Sequence, residues 1–275
     1  MRNVILFVFF ALLICGCGRK EKPVAGITLE ESSPKAALRL SFVPTIEALP
    51  VVVADACGIF DKAGVDIDVA ARESMMQCDE MYDKGKANMF YTDVIRARRL
   101  ETKGKKLNIL HSFEYRYSLV GCRQARLTNT SQLADKMVGM TRYSLSDSLC
   151  GPTAAFRIQV NNPLTRLNML TSHEIDAAWF AEPWAEWAVG MGGNVVAPTS
   201  GSTGKGVIAV SPAVMKDSGD MLKLFVKAYN QAVDSLEKNG VGEYVRLLDK
   251  YISCPDSIFA KVSPRHFGRI DMSAN

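Results

Sequence analysis

Six consecutive residues, Tyr143-Ser144-Leu145-Ser146-Asp147-Ser148, set a phenol, three hydroxyls and a carboxylate ahead of a helix-like stretch. Hydroxyls beside the free N–H groups of a helix start suit an anion such as a sulfonate, carboxylate or phosphate. Asp147 would repel that anion, and Ser146 or Asp147 serves equally well as a plain helix cap. Tyr91-Thr92-Asp93 closes a short apolar run: Thr92 can donate to a ligand, and Asp93 either pairs with a ligand amine or caps the next helix. Thr45 and Glu47 lie in the loop Pro44–Glu47, where Glu47 faces a ligand or solvent. Phe113, Tyr115 and Tyr117 either wall a cleft or pack in a core. The three tryptophans, Trp179, Trp184 and Trp187, sit close together, and Trp184 and Glu182 follow a strand-like segment. Glu47, Asp93, Asp147 and Glu182 together predict an acidic cleft. Acidic groups beside flat aromatic faces suit a cationic or nitrogen-rich aromatic ligand.

Those residues need a scaffold that gathers strand ends. From Ala36 onward two periods alternate. Leu38–Val43, Val65–Ala70, Met89–Tyr91, Leu107–His111, Ser118–Cys122, Val138–Thr141, Asp176–Phe180, Val195–Val196 and Val207–Val210 have strand patterns. Between them Ala48–Ala56, Met75–Lys84, Val94–Thr102, Ser148–Val160, Pro163–Leu170, a segment opened by Pro183, and Met221–Asn239 have helical ones. Strands alternating with helices predict an α/β chain with mainly parallel sheets. Ligands of such sheets bind beyond the carboxyl ends of the strands. That rule selects Pro44–Glu47, Tyr91–Asp93, Ser112–Tyr115, Tyr143–Asp147 and Ala181–Trp184.

The N-terminus carries an address. Arg2 precedes an unbroken apolar run, Val4–Ile14, too short to span a bilayer as a mature helix. Leu13-Ile14-Cys15-Gly16-Cys17 resembles the lipobox of bacterial lipoproteins. That resemblance implies a signal peptide over residues 1–16, a lipid on Cys17, and a periplasmic, membrane-anchored protein. Residues 17–35 are polar, mixed in charge and without a period, and predict a flexible tether. Cys57, Cys78, Cys122, Cys150 and Cys254 remain in the mature chain. Their spacing fits no zinc pattern, and they are expected to act as small buried hydrophobes, with room for one disulfide. A net charge of +4 is too mild for nucleic-acid binding.

The segment Leu40–Val69, with Gly58-Ile59-Phe60 and Lys62-Ala63-Gly64-Val65, resembles the start of the periplasmic substrate-binding proteins of sulfonate, nitrate and thiamine-precursor ABC importers. His173–Ala185 resembles the Asp-Ala-Ala strand and Glu-Pro that follow in that family, and Leu133–Gly139 matches it more loosely. His173 stands where the family has Gly. The resemblance implies a two-lobed type II periplasmic-binding-protein fold with two crossing strands. Lobe one is residues 36–117 and 206–275, and lobe two is 118–205. It also implies a monomer that hands a small molecule to an ABC permease and its ATPase, with no cofactor and no metal. Thiamine-precursor-like pyrimidines fit the acidic cleft, and sulfonate or nitrate is the alternative. An enzyme or a sensor subunit on the same fold is the rival. His111, His173 and His266 lack metal-ligand spacing, and Gly201–Lys205 lacks the spacing of a phosphate-binding loop.

Overall fold

The computed structural model describes residues 26–29, 35–198 and 203–272. Cys17, the signal segment and most of the expected tether lie outside these residues. The strands are β1 (Leu38–Phe42), β2 (Ile67–Ala71), β3 (Met89–Asp93), β4 (Asn108–Arg116), β5 (Ser118–Gly121), β6 (Met137–Met140), β7 (Phe156–Gln159), β8 (Ala177–Phe180), β9 (Asn194–Ala197) and β10 (Thr203–Val210). They form two sheets of five, in the orders β2-β1-β3-β10-β4 and β7-β6-β8-β5-β9.

The two sheets share one plan. In each, the fourth strand in line runs against the other four: β10 in the first sheet and β5 in the second. Those two strands are also the ones the chain enters from the opposite lobe. Only Tyr117 separates β4 from β5. The carboxyl ends of the parallel strands therefore face each other across the junction.

Helices cover the sheets. Leu38, Leu40 and Phe42 of β1 are buried, and so is Ser41 on the other face. Burial on both faces is what a central strand of a helix-flanked sheet requires. On that sheet lie α1 (Leu49–Ala56) and α2 (Ile59–Ala63), the latter bounded by Gly58 and Gly64, both left-handed. Left-handed φ is inexpensive only for glycine, which explains this tight turn. The elements α3 (Met75–Asp83), α4 (Val94–Thr102), α5 (Leu145–Ser148), α6 (Pro163–Thr171), α7 (Trp184–Gly190), α8 (Pro212–Asp217) and α9 (Gly219–Asn239) follow. Leu222, Phe225, Tyr229, Ala232, Val233 and Leu236 give α9 one apolar stripe, which packs on α1 and α2.

Four expectations need correction. No helix runs from Ser148 to Val160. Gly151 takes φ +58° and Pro152 follows, so the helix stops after one turn and Phe156–Gln159 pairs with β6 as an edge strand. Ser112–Tyr115 is not a loop, because β10 pairs with β4 as far as Thr203–Arg116 and carries the strand through it. By the same pairing the return strand joins the first sheet at Thr203, ahead of the expected Gly206. Part of the expected tether is also engaged: Ile27 bridges Ile252, Thr28 N donates to Tyr251 O at 2.8 Å, and Ser253 N donates to Gly26 O at 3.2 Å. The five cysteines among the described residues are free, with Cys57 exposed and the others buried.

Candidate functional site

The strand ends of the two lobes meet around a small space. Val43, Thr45, Ser74, Met75, Tyr115 and Tyr117 line it from lobe one. Thr141, Asn161, Pro163, Arg166, Phe180, Ala181 and Trp184 line it from lobe two. Its volume is about 30 Å³. That admits one or two waters, so a larger solute enters only when the lobes part.

Arg166 dominates this space. It sits in α6, whose buried residues Pro163, Arg166, Leu167 and Leu170 form an apolar stripe at i, i+3, i+4, i+7. Its side chain is 4% exposed. Nε donates to Val160 O at 3.0 Å, Nη1 to Trp179 O, and Nη2 to Thr141 Oγ1 at 3.0 Å and Asn161 O at 3.4 Å. Every one of these acceptors is neutral, and among the described residues no carboxylate pairs with it. Burial lowers its pKa to about 10, so it stays charged at neutral pH. A bare cation taken out of water is costly unless something anionic compensates it. The fold makes room for it: a Cβ on Gly139 would lie 3.0 Å from Arg166 Cγ and 2.8 Å from Ile175 Cδ1.

Hydroxyls and one amide complete the wall. The Tyr115 hydroxyl has Thr45 and Tyr117 as hydrogen-bond partners, and burial pushes its pKa upward, so it stays protonated. Asn161 Oδ1 is buried with no partner. Trp184 is buried, stacks on Trp187 with ring centroids 5.5 Å apart, and donates Nε1 to Pro44 O at 2.9 Å. That bond crosses the lobes. So do Ile46 N to Glu182 O at 2.9 Å, Leu145 N to Asp93 Oδ2 at 2.8 Å, and Arg96 Nη1 to Arg142 O at 3.0 Å. The lobes are closed on each other.

Of the side chains singled out in the sequence as ligand contacts or cleft walls, Thr45, Tyr115, Tyr117 and Trp184 line the space, and the others do not. Tyr91 is core, its ring 5.5 Å from Phe113, and Thr92 is buried with an unpartnered hydroxyl. Ser144 and Ser146 close the turn after β6: Ser144 Oγ donates to Thr141 O at 2.6 Å and Ser146 Oγ accepts from Thr141 N at 3.1 Å. They position Thr141 rather than touch the cavity. Tyr143 lies outside it, 46% exposed.

The acidic cleft does not form. Glu47 is locked in a buried ion pair with Arg265. Asp93 caps α4, accepting from Ile95 N and Arg96 N at 3.0 Å each. Asp147 pairs with Arg157 at 3.0 Å and accepts from Tyr143 N at 2.8 Å. Glu182 accepts from Glu186 N at 3.3 Å. Each carboxylate is engaged by a donor outside the space, so among the described residues the one charged side chain that lines it is Arg166. Sequence inspection of strand-end loops passed over that residue, although a charge on the apolar stripe of a helix was the available signal.

Burial, with Glu186 close by, pushes the Glu182 carboxyl from its ordinary 4.5 up to about 7. The folded state then holds this proton more tightly than the unfolded chain does. Its contribution is neutral below pH 4.5 and turns destabilising as pH rises toward 7. Glu182→Gln is expected to raise unfolding stability at pH 8 by about 3 kcal/mol and to leave it unchanged near pH 4. Denaturant melts at the two pH values check both halves.

No protein-family model matches the sequence, and no curated protein matches it. Solved structures do. A ligand-binding component of an ABC-type import system from Staphylococcus aureus, with zinc bound, aligns with TM-score 0.73 and 12% identity over 86% of each chain. The alkanesulfonate-binding protein SsuA from Xanthomonas axonopodis pv. citri, bound to MOPS, aligns with TM-score 0.70 and 14% identity over 82% of this chain and 83% of that one. The desulfurization enzyme DSZB aligns with TM-score 0.57 and 14% identity over 86% and 88%. Among the described residues no group of three His, Cys, Asp or Glu could hold a metal ion. Sheet order, crossing strands and these alignments agree that the chain has the two-lobed type II periplasmic-binding-protein fold.

Proposed function

We propose that the chain is a solute-binding lipoprotein that captures a small organic anion of the sulfonate class between its lobes and delivers it to an ABC permease. The observation that carries this reading is Arg166, buried at the cleft without a carboxylate. The likeness to SsuA supports it, as does the lipobox-like Leu13–Cys17, which fits a lipid-anchored protein on the periplasmic side of a membrane. A pyrimidine or amine loses its support once the four carboxylates are engaged elsewhere.

The cycle uses only binding. An anion enters the open cleft and meets the Arg166 guanidinium, with the hydroxyls of Thr141, Tyr115 and Thr45 as neighbouring donors. Closure removes water and strengthens each contact. Trp184 and Asp93 then hold the lobes together, and the permease meets the closed form. No bond in the ligand is made or broken. Isothermal titration with alkanesulfonates, nitrate, carboxylates and pyrimidines tests the reading. Saturable binding of an alkanesulfonate is expected. Binding of pyrimidines alone overturns it, and turnover of a sulfonate or sulfinate to sulfite, as a desulfurising activity would give, overturns the non-catalytic role.

A further inference from the structure

A second space opens on the outer side of the lobe junction, and it shares no residue with the first. It measures about 390 Å³ and lies between α3 and α4 of lobe one and the residues after β6 of lobe two. Its charges do not balance. Asp79 holds Arg96, Glu80 holds Lys84 at 2.5 Å, and Asp83 holds Lys105. Arg99, Lys103 and Arg142 line the same space and hold no carboxylate among the described residues.

Two of these cations come from opposite lobes and share one ring. The Arg99 guanidinium lies 3.7 Å over Tyr143, and that of Arg142 lies 5.3 Å from it. Tyr143 is held there by its N–H on Asp147, with φ +56°. Arg96 is 5% exposed, and its Nε is buried without a partner, although Nη1 reaches Arg142 O. Closing the lobes thus brings two like charges onto one ring, whose face offsets only part of their repulsion, and no carboxylate among the described residues pairs with either. An anion between them turns that repulsion into attraction.

We infer that this space is a second anion site, for a phosphate dianion, assembled only when the lobes close. Three unmatched cations call for more than one negative charge. The guanidiniums offer the forked donors that match phosphate oxygens. The volume accepts inorganic phosphate or the phosphate group of a small monoester. Because Arg99 and Arg142 belong to different lobes, the dianion favours closure and so raises affinity at Arg166, and the effect is reciprocal.

Titration with inorganic phosphate and with glycerol phosphate, against chloride at matched ionic strength, tests this site. Phosphate is expected to raise the melting temperature of the wild type and of Arg166→Gln alike. The double variant Arg99→Gln with Arg142→Gln, both at solvent-accessible positions, should lose at least about tenfold in phosphate affinity and keep its alkanesulfonate binding without phosphate. Glycerol phosphate binding as inorganic phosphate does identifies the phosphate group as the determinant, and binding by only one of the two names the source. No phosphate effect on the wild type overturns the inference, as does an effect that survives the double variant. An effect lost in Arg166→Gln alone assigns the phosphate to the first cleft and also overturns it.

Discussion

Arg166→Gln is expected to weaken binding of the cleft anion by at least about 100-fold, the penalty typical of removing one member of a buried charge pair. Glutamine keeps a polar head of similar reach, so the loss reports the charge. The variant also forfeits donors to Val160 O and Trp179 O, which are hidden from water, and its melting temperature falls without ligand. Arg166→Lys separates the two effects. Lysine keeps the charge but cannot serve four acceptors with a planar fork, so intermediate affinity is expected. Burial lowers the Arg166 pKa to about 10, so binding should hold steady through neutral pH and fail only as pH rises toward that value. Equal affinity in wild type and Arg166→Gln sinks the assignment.

The second large effect is mechanical. Gly204 of β10 faces Leu145 of lobe two, and a Cβ there would lie 2.6 Å from Leu145 Cδ2 and 3.1 Å from Cγ. The Leu145 backbone is fixed by its N–H on Asp93, so only its side chain can yield. Valine suits a strand, so Gly204→Val leaves the lobe-one sheet in place while wedging the lobes apart. Ligand affinity is expected to fall by about tenfold or more, with a larger radius of gyration in solution scattering. Trimming the opposing side chain supplies the control: Leu145→Ala in the same chain should restore closure. A double-mutant cycle with no coupling between the two positions sinks the wedge.

The sequence carries the sheets because both faces of their strands are written in one local pattern. Leu38–Phe42, Ala177–Phe180 and the stripe of α9 are legible from a few residues each. Phe156–Gln159 is not: its apolar residues fit a helix as well as an edge strand, and Gly151-Pro152 had to be given more weight. The site was legible in place and not in charge. Loops at strand ends did supply Thr45 and Trp184 to the cleft. The sign of the cleft depended on partners far along the chain: Glu47 is neutralised by Arg265, which lies 218 positions away. No local reading sees that ion pair, nor that Arg166 lacks one.

The contact of Gly26–Leu29 with Tyr251–Ser253 sets the length of a leash. With the lipid on Cys17 proposed above, eight residues lie between the anchor and the contact at Gly26, nine Cα steps in all. Fully extended, they span at most about 30 Å. The body is then confined to a shallow layer beside the membrane, where a membrane-embedded partner meets it at about millimolar effective concentration. The fixed point is on lobe one, whose Phe42 packs edge-on against Tyr251 at 5.2 Å. On that proposal lobe one is the moored half, and lobe two is the half that swings.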